Sequence, residues 1–275
     1  MAIITLTTDW NRHDYYAGLF KGHLLRHIPD ASIVELTHSI TPFHVVQAAF
    51  VLRNALSGFP DGTIHLLLVN QTHSTDRWPV VAKYRSQYLV GWDDGLLELV
   101  MEDSPTFYCV ADASFLAKVK DALGESVQAA QFSPSFPELM LFPMLAAYIL
   151  KGEEWPPSGG GPSSDVQRLP LLPAIQHDLI TGQVIYIDSY HNAITNITGD
   201  LFRRTRKNRK FEILVKSNHY RIDNLSETYH ATEPGELLAL INSVDLLEIA
   251  IMMGSAAELL ALEPGSTIKV KFYEK

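Results

Sequence analysis

Residues 63–80, TIHLLLVNQTHSTDRWPV, pass from an apolar, β-rich run of seven residues straight into a polar stretch. The run has the length and composition of a strand buried on both faces, as in a parallel sheet. Asn70, Gln71, Thr72, His73, Ser74 and Thr75 then form a loop at its carboxyl end, with Asp76 and Arg77 close behind. Ligands of open α/β sheets bind outside the carboxyl ends of the strands, so chemistry is expected in this loop. Residues 2–8, AIITLTT, repeat the pattern and empty into Asp9, Trp10, Asn11 and Arg12. If the two strands are parallel neighbours, Asp9 and Asn70 face one crevice.

Working outward, residues 14–27 place Tyr16, Leu19, Phe20, His23, Leu24 and His27 at helical spacing, and Pro29 and Asp30 end the segment. Residues 32–36 (SIVEL) read as a short strand and residues 44–56 as a helix closed by Gly58 and Pro60. Strand, helix, strand, helix, strand is the signature of a parallel sheet with right-handed crossovers. Residues 80–84, 88–90 and 96–100 are short apolar runs between polar turns, which predicts hairpins. Residues 113–122 predict a brief amphipathic helix and 136–150 a longer one. Ser135 and Glu138 have the spacing of a capping box there, with Pro137 in the first turn.

Residues 155–177 are rich in proline, glycine and serine, a composition that links domains rather than packing a core. An α/β amino-terminal domain with a mainly parallel sheet is therefore expected over residues 1–154. Over residues 178–275, runs at 183–187, 210–215, 236–241, 246–252 and 268–272 predict a smaller β-barrel domain.

Composition narrows the function. The 275 residues are 47% hydrophobic, enough for two proper cores, and carry a net charge of −9. That charge disfavours nucleic acid, whose binding needs clustered cations. The basic run at 203–210, RRTRKNRK, reads as a solvated turn between strands. The lone Cys109 allows no internal disulfide, and no HExxH, HxH or cysteine pair suggests a metal. No phosphate loop, GxGxxG or GxSxG occurs. The apolar runs are too short to span a bilayer, and Asp9 and Arg12 interrupt any early apolar stretch, so a cytoplasmic protein is expected. Asp9 suits either a ligand hydroxyl or a helix cap, and Arg77 a ligand or a surface ion pair. Asp188, Ser189, Tyr190, His191, Asn192 and Asn196 suit either a polar rim or a turn.

Six segments, in order, resemble the S-adenosyl-L-methionine hydroxide adenosyltransferases, whose relatives include the fluorinase and chlorinase. They are ITLTTDW, IVELTHSITPF, GTIHLLLVN, VGWDDGLLELV, VIYIDSYHNAITNI and LLALINSVDLLEIAIMMGSAAELL. The resemblance implies an α/β domain and a β-barrel assembled as a homotrimer, with S-adenosylmethionine (SAM) held between the amino domain of one subunit and the carboxyl domain of the next. SAM is there a substrate or ligand, and no separate cofactor is implied. Water attacks the ribose C5′ and expels methionine, leaving adenosine. Asp9 matches the ribose-binding carboxylate, with Trp10 beside it, and Phe43 an aromatic over the ribose. Asp188 and Asn192 match groups that hold the methionine moiety, and Asn242, Ser243 and Met253 belong to the segment that meets the adenine.

The departures fall where the reaction happens. Family hydrolases surround the attacking water with an Asp, an Arg and a His. Arg77 is present, but Asn70 stands at the Asp position, and Phe136, Pro137, Glu138, Leu139 and Met140 stand where the family has Phe-His-Gly-Arg-Asp. A carboxamide holds a water but takes no proton from it, and proline's side chain does neither. Val244 and Asp245 replace a small-residue and Gly-Tyr turn, and Met252 and Met253 crowd the adenine edge. Two readings follow: a SAM-binding hydrolase whose activity is weakened or rebuilt, with His73 or Asp76 as replacement base, or a non-catalytic nucleoside-binding oligomer. A different nucleophile such as halide has precedent in the family.

Overall fold

The computed structural model describes residues 1–69, 78–101, 103–124, 135–153, 155, 172–216 and 220–273. The chain divides into two compact units, Met1–Arg168 and Leu169–Lys275.

The first unit is built on six strands, β1 (Ile3–Thr8), β2 (Ser32–Thr37), β3 (Ile64–Leu68), β4 (Pro79–Tyr84), β5 (Gln87–Trp92) and β6 (Phe107–Val110). Their order in the sheet is β2-β1-β3-β5-β4-β6. Pairings β1 with β2, β1 with β3 and β3 with β5 are parallel, whereas β4 opposes both its neighbours. Mainly parallel is thus the right description, with one reversed strand delivered by a tight hairpin at Arg85 and Ser86, both at positive φ.

Helices α1 (Tyr16–His27), α2 (Val45–Ala55), α3 (Leu96–Val100), α4 (Ala113–Leu123) and α5 (Glu138–Lys151) cover both faces. The period of two along β3 divides its side chains between them: Ile64, Leu66 and Leu68 join the cluster holding Phe20, Phe115 and Phe142, while Leu67 and Val69 join that of Leu52, Leu96 and Leu97. The chain leaves β1 on one side to make β2 and returns across β1 to make β3. The order of strands therefore reverses between β1 and β3, which is the topological switch point of the sheet.

Two expectations for this unit are corrected. Residues 96–100 are helix α3, not part of a hairpin, because Gly95 takes φ 88° and Asp94 Oδ1 accepts from the Leu96 amide at 3.1 Å, turning the chain out of the strand. A five-residue apolar run fits either period, and the turn chemistry decides. The capping box also fails to form. Helix α5 starts at Glu138 with Pro137 in the N-cap position and no side-chain cap. A proline at 137 disfavours helical backbone at Phe136, so the helix cannot begin from Ser135.

The second unit is a nearly closed antiparallel barrel. It comprises β7 (Ala174–Gln176), β8 (Leu179–Ile187), β9 (Ala193–Thr198), β10 (Lys210–Val215), β11 (Tyr220–Ile222), β12 (Leu237–Ile241), β13 (Leu246–Ile251) and β14 (Thr267–Tyr273). The order is β11-β10-β14-β8-β9-β13-β12, with β7 on β8. Beyond β11 the Ser226 amide donates to the Ala239 carbonyl of β12 at 2.8 Å, drawing the two edges together. Ile180, Ile197, Phe202, Ile213, Leu247, Ile249 and Val270 fill the interior.

The basic run expected to be a turn supplies the end of α6 (Gly199–Arg206), with Lys207 and Asn208 turning into β10. Thr198 Oγ1 caps it by accepting from the Leu201 amide at 3.1 Å, and Arg204 pairs with Asp200 one turn earlier at 2.7 Å. Three arginines in the last turn complement the helix dipole. A short helix, α7 (Ala256–Leu259), follows β13.

Candidate functional site

The carboxyl edge of the first sheet collects the groups that sequence analysis places there. Asp9 follows β1 directly, and its Oδ2 accepts from the Phe43 amide at 2.9 Å. Phe43 stands at φ 67° and is 59% exposed, at the end of the loop that leaves β2. That loop is pinned to β1: the Asn11 amide donates to the His38 carbonyl at 2.9 Å, and Thr8 Oγ1 meets His38 Nδ1 at 2.8 Å. His44 Nδ1 then accepts from the Gln47 amide and caps α2. A carboxylate is thus fixed at the switch point, with an aromatic ring from the next loop presented beside it.

Helix α5 begins at the same edge. Trp10 packs against Tyr16 and Phe20, with ring centroids 6.2 and 5.6 Å apart, and Tyr16 stacks on Phe136 at 4.8 Å. Trp92, the last residue of β5, meets Phe142 at 5.4 Å. Between Phe136 and Phe142 lies Glu138, only 3% exposed although it is an acid. Its Oε2 has no hydrogen-bond partner among the described residues. Burial pushes its pKa up to about 7; its own amide pulls the other way, and the charge of Asp9 adds to the rise. A carboxyl in that range exchanges protons at neutral pH.

In the second unit Asp188 shapes the turn after β8. Its Oδ1 accepts from the amides of Tyr190 and Asn192 at 2.9 and 2.8 Å, and its Oδ2 from Asn192 Nδ2 at 3.2 Å. Asn242 shapes the turn between β12 and β13: its Oδ1 accepts from the Val244 and Leu246 amides, and its Nδ2 donates to Glu248 Oε2 at 3.0 Å. Glu248, 2% exposed, also accepts from Tyr229 Oη at 2.6 Å. Burial, that bond and the charges of Glu248 and Asp188 raise the Tyr229 pKa. Ser243 is exposed at the turn, and Met253 is 83% exposed at φ 51°. Asn196, expected on a polar rim, is instead inside β9, where its Oδ1 accepts from the Gln183 amide at 2.8 Å.

Family models match both units: residues 4–159 fit the SAM hydroxide adenosyltransferase N-terminal domain and residues 182–269 the C-terminal domain. The chain belongs to the SAM hydroxide adenosyltransferase family. Among family relatives, an (R)-S-adenosyl-L-methionine hydrolase of Methanocaldococcus jannaschii is 26% identical, covering 95% of this chain and 92% of the relative. Enzymes of the same name from Salinispora arenicola and Thermus thermophilus are each 28% identical. They cover 97% and 98% of this chain, and 97% and 100% of the relatives. An uncharacterized conserved protein from Thermotoga maritima superposes with a TM-score of 0.82 at 26% identity, over 98% of this chain and 99% of that one.

Within this family frame, the structure joins Asp9, Trp10 and Phe43 at one edge of the first unit. Asp188, Asn192, Asn242, Ser243 and Met253 fall in three turns of the second unit. Asn70, His73, Asp76 and Arg77 lie outside the described residues. Glu138, read from the sequence as a helix-cap partner, and the Tyr229–Glu248 pair are additions that sequence analysis did not place at the site. The signal for Glu138 was one acid at the head of an otherwise apolar run, ELMLFPML, behind a proline that rules out the capping role. Among the described residues no group of three or more His, Cys, Asp or Glu is placed to hold a metal. No helix among them is long and apolar enough to cross a membrane.

Proposed function

We propose that this protein binds SAM by its adenosyl group and hydrolyses it to adenosine and L-methionine, with a water-activating set rebuilt from that of its relatives. The observation that carries this reading is Asp9, fixed by the Phe43 amide at the switch point of a mainly parallel sheet. Such a carboxylate accepts from the vicinal hydroxyls of a ribose, and the exposed Phe43 ring offers a flat apolar face beside it. The named relatives are hydrolases of this substrate.

The chemistry asks little of the protein. A sulfonium releases a neutral thioether without an acid, so positioning the water against C5′ and stripping its solvent supply most of the acceleration. Arg77, and Asn70 as a hydrogen-bonding amide, would orient that water. The sites would be shared in a homotrimer, with Asp9, Trp10 and Phe43 of one chain and Asp188, Asn192, Asn242, Ser243 and Met253 of the next around the ligand. The lone cysteine supports a cytoplasmic setting.

Incubation with SAM, followed by chromatography of adenosine and methionine and calorimetry of binding, tests the reading. Asp9→Ala should abolish binding. Asn70 and Pro137, which stand where the resemblance puts an Asp and a His, favour a second reading, a nucleoside-binding protein without turnover. Tight SAM binding with no product over a day would establish that second reading. Absence of binding would sink both.

A further inference from the structure

We propose that Glu138 is the general base of this site, taking the proton of the water that attacks C5′. The proposal rests on the reading of the protein as a SAM hydrolase. It assigns the base to a described residue that neither turn nor cap requires.

Placement comes first. Glu138 opens the fourteen-residue α5, and Phe136 just before the helix and Phe142 within it tie it to the carboxyl edge of the sheet. Phe136 stacks on Tyr16, which leads through Trp10 to Asp9, and Phe142 meets Trp92 where β5 ends. Asp9 is close enough for its charge to act on the Glu138 carboxyl.

Its condition comes second. Residues 138–149 are all buried, and Glu138 is the one acid in that run. A glutamate that merely served the helix dipole would keep its carboxylate in water, as surface acids do. This one is removed from solvent with Oε2 unmatched, an arrangement that costs stability unless something else selects it. A base withdrawn from water, with an unmatched acceptor oxygen and within reach of the charge of the group that would hold the ribose, is suited to proton abstraction from a bound water.

The Glu138 carboxylate takes one proton from water as the water oxygen bonds to C5′. The C5′–S bond breaks with its electron pair remaining on sulfur. Methionine leaves as a neutral thioether, adenosine keeps the new 5′-hydroxyl, and the proton passes from Glu138 to solvent. No other reactant is needed.

Glu138→Gln keeps the shape and removes the proton acceptor. Turnover of SAM should fall about 10²- to 10⁴-fold, with the dissociation constant for SAM within about threefold of the parent's. In the parent, kcat/KM should rise with pH and level off above neutrality. Glu138→Asp should keep that ascending limb at reduced rate, and Glu138→Gln should lose it. The Gln variant should melt no lower than the parent at about pH 8, since it sheds a buried charge. Gln turnover near the parental rate, or a melting temperature well below the parent's, would overturn the assignment and leave the hydrolase reading standing. A parent that binds SAM without turnover removes the base role while keeping the ligand. A parent that binds no SAM removes both.

Discussion

Glu138 couples folding to the proton. Burial, with a smaller effect of the Asp9 charge, lets its carboxyl hold a proton up to about pH 7, against an ordinary value of 4.5. The folded state therefore binds that proton more tightly than the unfolded chain does. Its stabilising effect is complete below about pH 4.5 and is lost as the pH rises through about 7, a change of about 3 kcal/mol from this group alone. Glu138→Gln removes the dependence. Urea denaturation of parent and variant should give similar stabilities at about pH 5 and favour the variant at about pH 8, where the parent carries a buried charge. An advantage equal at both pH values would mean the carboxyl is solvated in the folded state. Asp9 differs in kind, since one of its oxygens already accepts from the Phe43 amide, so its replacement frees that loop as well as emptying the ribose position.

Strand β8 shows how one residue lets an element turn. Its first half pairs with β14 and β7 and its second half with β9, so the strand passes from one side of the barrel to the other near Gly182. A Cβ at Gly182 would stand 2.5–2.8 Å from Ile197 and Asn196 of β9. Gly182→Ala should destabilise the second unit by about 2 to 3 kcal/mol. Gly18, on the exposed side of α1 with nothing within 4 Å of its would-be Cβ, gives the opposite sign. Gly18→Ala should stabilise by about 0.5–1 kcal/mol. Calorimetric melts of the two variants check both, and equal shifts would contradict the packing argument. The same elements show what sequence makes legible. Strands β1 and β3 are buried on both faces and rich in aliphatic and β-branched residues, so composition locates them although Thr5, Thr7, Thr8 and His65 lie in their interior, and the residues after β1 locate Asp9. Strand β9, AITNIT, carries Thr195 and Asn196, whose partners are backbone groups of other strands, the Leu247 carbonyl and the Gln183 amide, and no local pattern reveals those. Glu138 was hidden similarly, because three-residue spacing from a serine mimics a cap, and only the fold buries it.

At the scale of the whole molecule, the proposed site draws on a neighbouring chain. Asp9 and Asn192 belong to different compact units, and the proposed homotrimer brings one chain's Asp9 to the next chain's Asn192. An arrangement of this type makes a claim that a site within one chain does not. Asp9→Ala and Asn192→Ala subunits should each form trimers without SAM turnover. Mixed through a dissociation and reassembly cycle, they restore sites in which both contributions are intact, because an intact Asp9 from one chain can meet an intact Asn192 from the next. With equal amounts and random assembly, activity should return to about a quarter of the parent's per site. Light scattering before and after mixing establishes the trimer, and ion-exchange of differently tagged subunits shows that exchange occurred. Exchange without recovered turnover would place both residues' sites within single chains, or remove Asn192 from the site, and a monomer at micromolar concentration would exclude sharing altogether. Asn192 also donates to Asp188 and so helps hold its turn. The Asn192→Ala trimer must therefore retain the parent's melting behaviour for the second unit before its loss of turnover counts as loss of a ligand contact.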